Sequence, residues 1–142
     1  MLSLFILLLL WYRGSSSWEI TSFVMTVGAG GILLFLLKEF YVRERPMFHP
    51  FIDVGGYSFP SGHATGAVLL YGVIIYSFRQ NRPSPFQKWS FTIVVGIFIF
   101  LIGISRIYLG VHFPTDVLAG YFAGLAWLIA CILPLEWKKR RS

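Results

Sequence analysis

The sequence predicts an all-α protein: a polytopic transmembrane helix bundle with four full spans and a partial N-terminal helix. Two observations carry this. Of the 142 residues, 56% are hydrophobic and only 13% are charged, about half the charged share of a soluble domain. Those charges are confined to short segments between long uncharged runs. Polar surface for a soluble fold is missing, and only helices or closed barrels satisfy their backbone inside lipid. Residues 1–142 therefore read as one membrane-embedded domain.

The first run, Met1–Tyr12, ends at Arg13. A bilayer core of ~30 Å needs ~20 helical residues, so this run is too short to span. It has neither a basic leading segment nor a small-residue cleavage site, which argues against a signal peptide. It reads as an incomplete first helix. The second run, Ile20–Leu37, follows Trp18, an interfacial anchor. The third, fourth and fifth are Gly62–Phe78, Trp89–Ser105 and Val117–Leu135. Gly62 with Gly66, and Gly120 with Gly124, are four residues apart, and Gly96 and Gly103 are seven apart. Each pair falls on one helix face, as expected for close helix packing in lipid. Cys131 has no internal partner for a disulfide and reads as a small buried hydrophobe.

The net charge of +6 raises the possibility of nucleic-acid binding. Membrane orientation accounts for it better, and no nucleic-acid partner is expected. Arg13, Arg79, Arg82, Lys88 and the run Lys138–Arg141 fall on one side of the bundle. They are eight of the twelve Lys and Arg residues, so that side is expected to be cytoplasmic. Lys38, Arg43, Arg45, Arg106, Asp116 and all three histidines (His49, His63, His112) gather at the outer face.

Lys38 and Arg45 are seven apart, which puts both on one face of a helix continuing to about Pro46. Arg43 reads as an i,i+4 partner of Glu39. Pro60, Ser61, Gly62 and His63 open the third helix with a proline, a capping serine and a glycine that admits an anion to free N–H groups. Ser105 and Arg106 close the fourth helix. His112 stands before the fifth, whose start near Phe113–Thr115 puts Asp116 in its first turn. There Asp116 serves either as a dipole-matched carboxylate or as an acceptor fixing the tautomer of His112. Pro46–Pro60 is rich in aromatic residues and reads as a connecting loop, with an interfacial flap as the alternative; His49 within it reads as a surface histidine.

Convergence decides among these readings. Three cations, Lys38, Arg45 and Arg106, match the three non-bridging oxygens of a phosphoryl group. One histidine could attack phosphorus while the other protonates the leaving oxygen. No carboxylate cluster is present to hold Mg²⁺ or Ca²⁺. A zinc site from His63 and His112 is disfavoured by the surrounding cations.

In order, these residues spell K-x6-R-P (Lys38, Arg45, Pro46), P-S-G-H (Pro60 to His63) and S-R-x5-H-x3-D (Ser105, Arg106, His112, Asp116). The signature resembles that of the type 2 phosphatidic acid phosphatase family of integral-membrane lipid phosphate phosphatases. It spans about eighty residues of the chain, and soluble vanadium haloperoxidases and bacterial acid phosphatases share it. The resemblance implies that His112 is a nucleophile forming a phosphohistidine, oriented by Asp116, with His63 as general acid. It implies that Lys38, Arg45, Ser61, Gly62 and Arg106 bind phosphate and that no metal or cofactor is needed. It also implies a bacterial inner-membrane protein with an outward-facing site and six helices, so that the first helix and part of the second are missing here.

The expected function is metal-independent hydrolysis of a lipid phosphate or diphosphate at the outer membrane face. Undecaprenyl diphosphate is favoured, with phosphatidylglycerophosphate and phosphatidate as alternatives. A non-catalytic lipid-phosphate binder or transporter would use the same cations but has no need of an aspartate-oriented histidine. A phosphotransferase passing the group to an alcohol is a third option.

Overall fold

The computed structural model describes residues 17–46, 55–81 and 83–141. Among them every regular element is helical: α1 (Ser17–Val24), a π-helical turn (Met25–Ala29), α2 (Gly30–Tyr41), α3 (Gly62–Gln80), α4 (Pro85–Tyr108) and α5 (Pro114–Lys139). The partial helix expected over Met1–Tyr12, and His49 with most of the proposed flap, lie outside the described residues.

Two helices, Pro85–Tyr108 and Pro114–Trp137, are long and apolar enough to cross a membrane. The outer surface of α4 is almost wholly apolar, with Trp89, Ile93, Val94, Ile97, Phe98, Phe100 and Leu101 exposed. Such a surface suits lipid and not water. The other two expected spans take a different form. α3 has 19 residues, but it lies at the centre of the bundle against α5, α4 and α2. Its Ala64, Thr65, Ala67, Val68, Leu69 and Leu70 are buried in protein, which tolerates the polar residues of its first turns.

The single helix expected over Ile20–Leu37 is interrupted by the π turn at its glycines. The widened turn offsets the backbone ladder, and the indole Nε1 of Trp127 on α5 donates to the Thr26 carbonyl at 3.1 Å. The Trp127 ring fits because Gly30 is bare: a Cβ there would lie 3.1 Å from it and 2.4 Å from Leu69.

Both members of the α5 glycine pair pack tightly, whereas in each of the other two pairs only one member does. A Cβ on Gly120 would meet the Ser61 carbonyl oxygen at 2.7 Å, and one on Gly124 would meet Val68 at 2.9 Å. These two glycines let α5 lie directly on α3. Gly103 likewise makes room for the Tyr121 hydroxyl, which donates to the Phe100 carbonyl at 2.9 Å. Gly66 and Gly96, by contrast, face open space.

The helix ends place the polar residues. α4 starts with a capping box between Ser84 and Gln87, with Pro85 in its first turn. α2 stops at Tyr41, four residues short of the expected end, because Val42 turns left-handed at φ 46°. That conformation is costly for a β-branched residue. Arg45 is therefore not on a continuing helix with Lys38. It returns toward the bundle on the non-helical segment 42–46.

Candidate active site

Four chain segments meet at the end of the bundle where α2 and α4 finish and α3 and α5 begin. The α4–α5 connection is a tight reversal: Leu109 N–H donates to Ser105 O, Gly110 N–H to Ile107 O and Val111 N–H to Arg106 O. Gly110 takes φ 66°, which glycine adopts without strain. The turn carries His112 back beside Arg106. α5 starts at Pro114, within the expected range, with Asp116 in its first turn. The backbone N–H of Ser61, at the N-cap of α3, donates to the Asp116 carbonyl at 2.9 Å and ties the two helix starts together.

A cavity of about 350 Å³ opens at this junction, lined by Lys38, Arg45, Gly62, His63, Arg106, Leu109, Val111 and His112. Six of the eight residues expected at the site share its wall. Asp116 is fully buried behind His112. Ser61 is placed differently from expectation. It occupies the N-cap position but makes no side-chain cap bond, and it is absent from the cavity wall. Its hydroxyl is buried with no hydrogen-bond partner among the described residues.

Two of the three cations are held by backbone carbonyls. Lys38 Nζ donates to Tyr57 O, and Arg45 donates to Gly56 O at 3.0 Å, Gly55 O at 3.3 Å and Val111 O at 3.0 Å. Arg106 donates from Nε to Ser105 Oγ at 3.2 Å. Arg45 Nη1 also lies 3.2 Å from His112 Nε2. A guanidinium only donates, so Nε2 carries a lone pair and the imidazole proton sits on Nδ1. Burial, reinforced by the Arg45 guanidinium and opposed by Asp116, lowers His112 to about 4. The ring is therefore neutral at physiological pH.

Asp116 is supported by residues outside the motif blocks. Its Oδ1 accepts from Arg43 Nη1 at 2.8 Å, and its Oδ2 accepts from Ser58 Oγ and from the Phe113 N–H at 2.9 Å. His112 Nδ1 lies 3.5 Å from the same Oδ2 and 3.4 Å from Ser58 Oγ. The expected Arg43–Glu39 pair is replaced by this contact. α2 ends before Arg43, so helical i,i+4 spacing no longer applies, and Val42 turns the side chain inward. Ser58 carried no sequence signal beyond standing two residues before Pro60.

A helical membrane protein that buries an Asp–His pair behind a cavity walled by three cations and a second histidine is built to handle a phosphoryl-like anion. The chain belongs to the PAP2 superfamily, whose pattern it matches over residues 19–140. It is 40% identical over 111 residues to phosphatidylglycerophosphatase B of Bacillus subtilis, covering 77% of this chain and 54% of that protein. It is 31% identical over 125 residues to an undecaprenyl-diphosphatase of Sulfolobus acidocaldarius, covering 82% and 53%. A lipid A 4'-phosphatase of Porphyromonas gingivalis is 39% identical over 98 residues, covering 62% and 38%. The crystal structure of a transmembrane PAP2 type phosphatidylglycerolphosphate phosphatase from Bacillus subtilis superposes with a TM-score of 0.78 at 36% identity, covering 91% of this chain and 63% of that one. The chain thus spans about half the length of the Bacillus phosphatidylglycerophosphatase B and the Sulfolobus undecaprenyl-diphosphatase.

Proposed function

We propose that the chain is the catalytic part of a lipid phosphate phosphatase working through a phosphohistidine. The observation that carries this is the pairing at His112: Nε2, with its lone pair, faces the cation-walled cavity, while Nδ1 faces Asp116. Lys38, Arg45 and Arg106 bind the non-bridging oxygens and offset the charge that develops on them. As Arg45 Nη1 turns from Nε2 to the phosphoryl oxygens, the freed Nε2 lone pair attacks phosphorus, the bond to the lipid oxygen breaks, and His63 gives that oxygen a proton. Water then attacks phosphorus, His63 takes a proton from that water, and the P–N bond breaks with its electron pair returning to Nε2. Among the described residues no three of His, Cys, Asp and Glu converge on one point. On this reading the fixed cations Lys38, Arg45 and Arg106 supply the charge stabilisation, and activity is expected to persist with chelator present.

The three relatives described above are by name phosphatases of lipids, which favours a phosphate carried on a lipid as the substrate class. Phosphatidylglycerophosphate leads, supported by the more identical relative and the crystal structure. Undecaprenyl diphosphate comes next, supported by the archaeal relative and by the outward-facing site that the charge distribution implies. Phosphatidate follows.

The test is phosphate release from a panel of these lipids by purified protein in detergent, with excess chelator. Wild type is expected to turn over at least one of them, and His112→Ala to lose about 10³-fold or more. If neither protein releases phosphate from any lipid while both bind phosphate equally, the reading is overturned in favour of a binder.

A further inference from the structure

Asp116 receives more hydrogen bonds than a carboxylate needs in order to orient one imidazole. Arg43 holds Oδ1, while Ser58 and the Phe113 N–H hold Oδ2. Both supporting side chains are built in. Ser58 is fully buried, and its N–H donates to the Arg43 carbonyl at 2.7 Å. Arg43 Nη1 also donates to Thr115 Oγ1 at 2.8 Å, and its guanidinium lies 4.4 Å from the Phe113 ring centroid. The strained Val42 is the joint that brings Arg43 back to α5. Ser58 gives its proton to Asp116, so its lone pairs are left to face His112 Nδ1–H. The hydroxyl therefore bridges the imidazole and the carboxylate.

We propose that Arg43 and Ser58 are positioning residues that hold Asp116 and take up part of its negative charge, so that it orients His112 without over-stabilising a positively charged ring. The inference rests on the phosphatase reading. Bonding phosphorus to Nε2 makes the imidazole cationic, and a bare carboxylate beside it would hold the phosphohistidine too firmly. Dividing the charge of Asp116 among three donors keeps the second step, P–N cleavage, fast. The charged and titratable groups facing His112 are Arg45 from the segment after α2, Lys38 from the end of α2 and Asp116 from α5. Arg106 and His63 share the cavity wall.

Two measurements test this. One is the His112 protonation midpoint, from ¹⁵N-histidine NMR of detergent-solubilised protein, which needs no turnover. Arg43→Gln and Ser58→Ala are each expected to raise it by about half a unit or more, because either leaves Asp116 a stronger partner for the imidazolium. Arg43→Lys, which keeps the charge, is expected to stay within a few tenths of wild type. The other is turnover: Arg43→Gln should lower kcat about tenfold or more with KM within about twofold, and acid-labile phosphoenzyme should accumulate. Should Ser58→Ala fail to fold, Ser58→Cys, a weaker donor of similar size, is expected to show the same upward shift. A midpoint unchanged in the folded variants overturns the proposal. So does a loss of turnover in Arg43→Lys as large as in Arg43→Gln. If wild type hydrolyses no lipid phosphate, the phosphatase reading fails; the NMR midpoints still decide whether the two residues take up part of the charge of Asp116.

Discussion

Replacing Gly120 with alanine puts a methyl carbon 2.7 Å from the Ser61 carbonyl oxygen, 3.0 Å from Ala64 Cβ and 3.1 Å from Thr65 Oγ1. The first of these atoms is backbone and cannot rotate away. It lies about 0.7 Å inside the 3.4 Å at which ordinary contact begins, so α5 must move off α3 by a comparable distance. The bond strained first is Ser61 N–H to Asp116 O, one turn from Gly120 and directly between the two histidine-bearing helix starts. Overpacking of this kind costs about 1–3 kcal/mol. A misplacement approaching 1 Å between reacting groups costs up to about 10²-fold in rate. Gly120→Ala is therefore expected to fold with a lowered thermal midpoint in detergent and to lose 10- to 100-fold in kcat, on the order set by that geometry. The control is Gly66→Ala on α3, where an added methyl meets nothing within 4 Å. It should keep wild-type turnover and be neutral or stabilised by up to about 1 kcal/mol through helix propensity. Wild-type stability and turnover in Gly120→Ala would refute the argument.

Val42→Asn is expected to raise stability by about 1 kcal/mol, since Val42 is half exposed and asparagine tolerates the left-handed conformation; a lowered thermal midpoint would count against strain at that joint. Trp127→Phe, which removes the indole donor from the Thr26 carbonyl, should cost about 1–2 kcal/mol in the same assay. The lowered His112 predicts a direction for pH dependence. The folded protein refuses a proton that the unfolded chain accepts near 6.5, so this contribution to stability is full above about 6.5 and is lost as pH falls toward about 4. Arg45→Gln removes a repelling charge 3.2 Å from Nε2 and should move the His112 midpoint upward, measured by ¹⁵N-histidine NMR. No movement would mean that burial alone sets it.

The motif residues were legible in the sequence because their spacing relative to helix ends is local. His112 and Asp116 are four apart across a proline-started helix, and Gly62 and His63 open another; the structure places three of these four on one cavity wall with Asp116 directly behind. Arg43 and Ser58 were not legible. Their partner lies 73 and 58 residues away in sequence, and the contact depends on Val42 adopting a conformation its side chain disfavours. The same turn removed the expected helical continuation from Lys38 to Arg45. Glycine spacing identified which faces could pack but not which would, because Gly120 and Gly66 look alike until a neighbouring helix is placed. The π turn was visible only as weak helix propensity at Gly28, Gly30 and Gly31, since the indole that bonds to it comes from another helix.

Lys38 and Arg45 already have oxygen partners in the carbonyls of Gly55, Gly56, Tyr57 and Val111. An incoming headgroup must outbid four neutral dipoles, so binding here is an exchange of ligands and not the filling of bare charge. A phosphodiester, with one negative charge spread over two oxygens, gains little by that exchange. A terminal monoester or diphosphate, with more charge and three free oxygens at its end, gains a good deal. On the proposed reading the loop at residues 55–57 therefore acts as a threshold, letting the site ignore the phosphodiester lipids that surround it in the bilayer and respond to the scarce ones ending in phosphate.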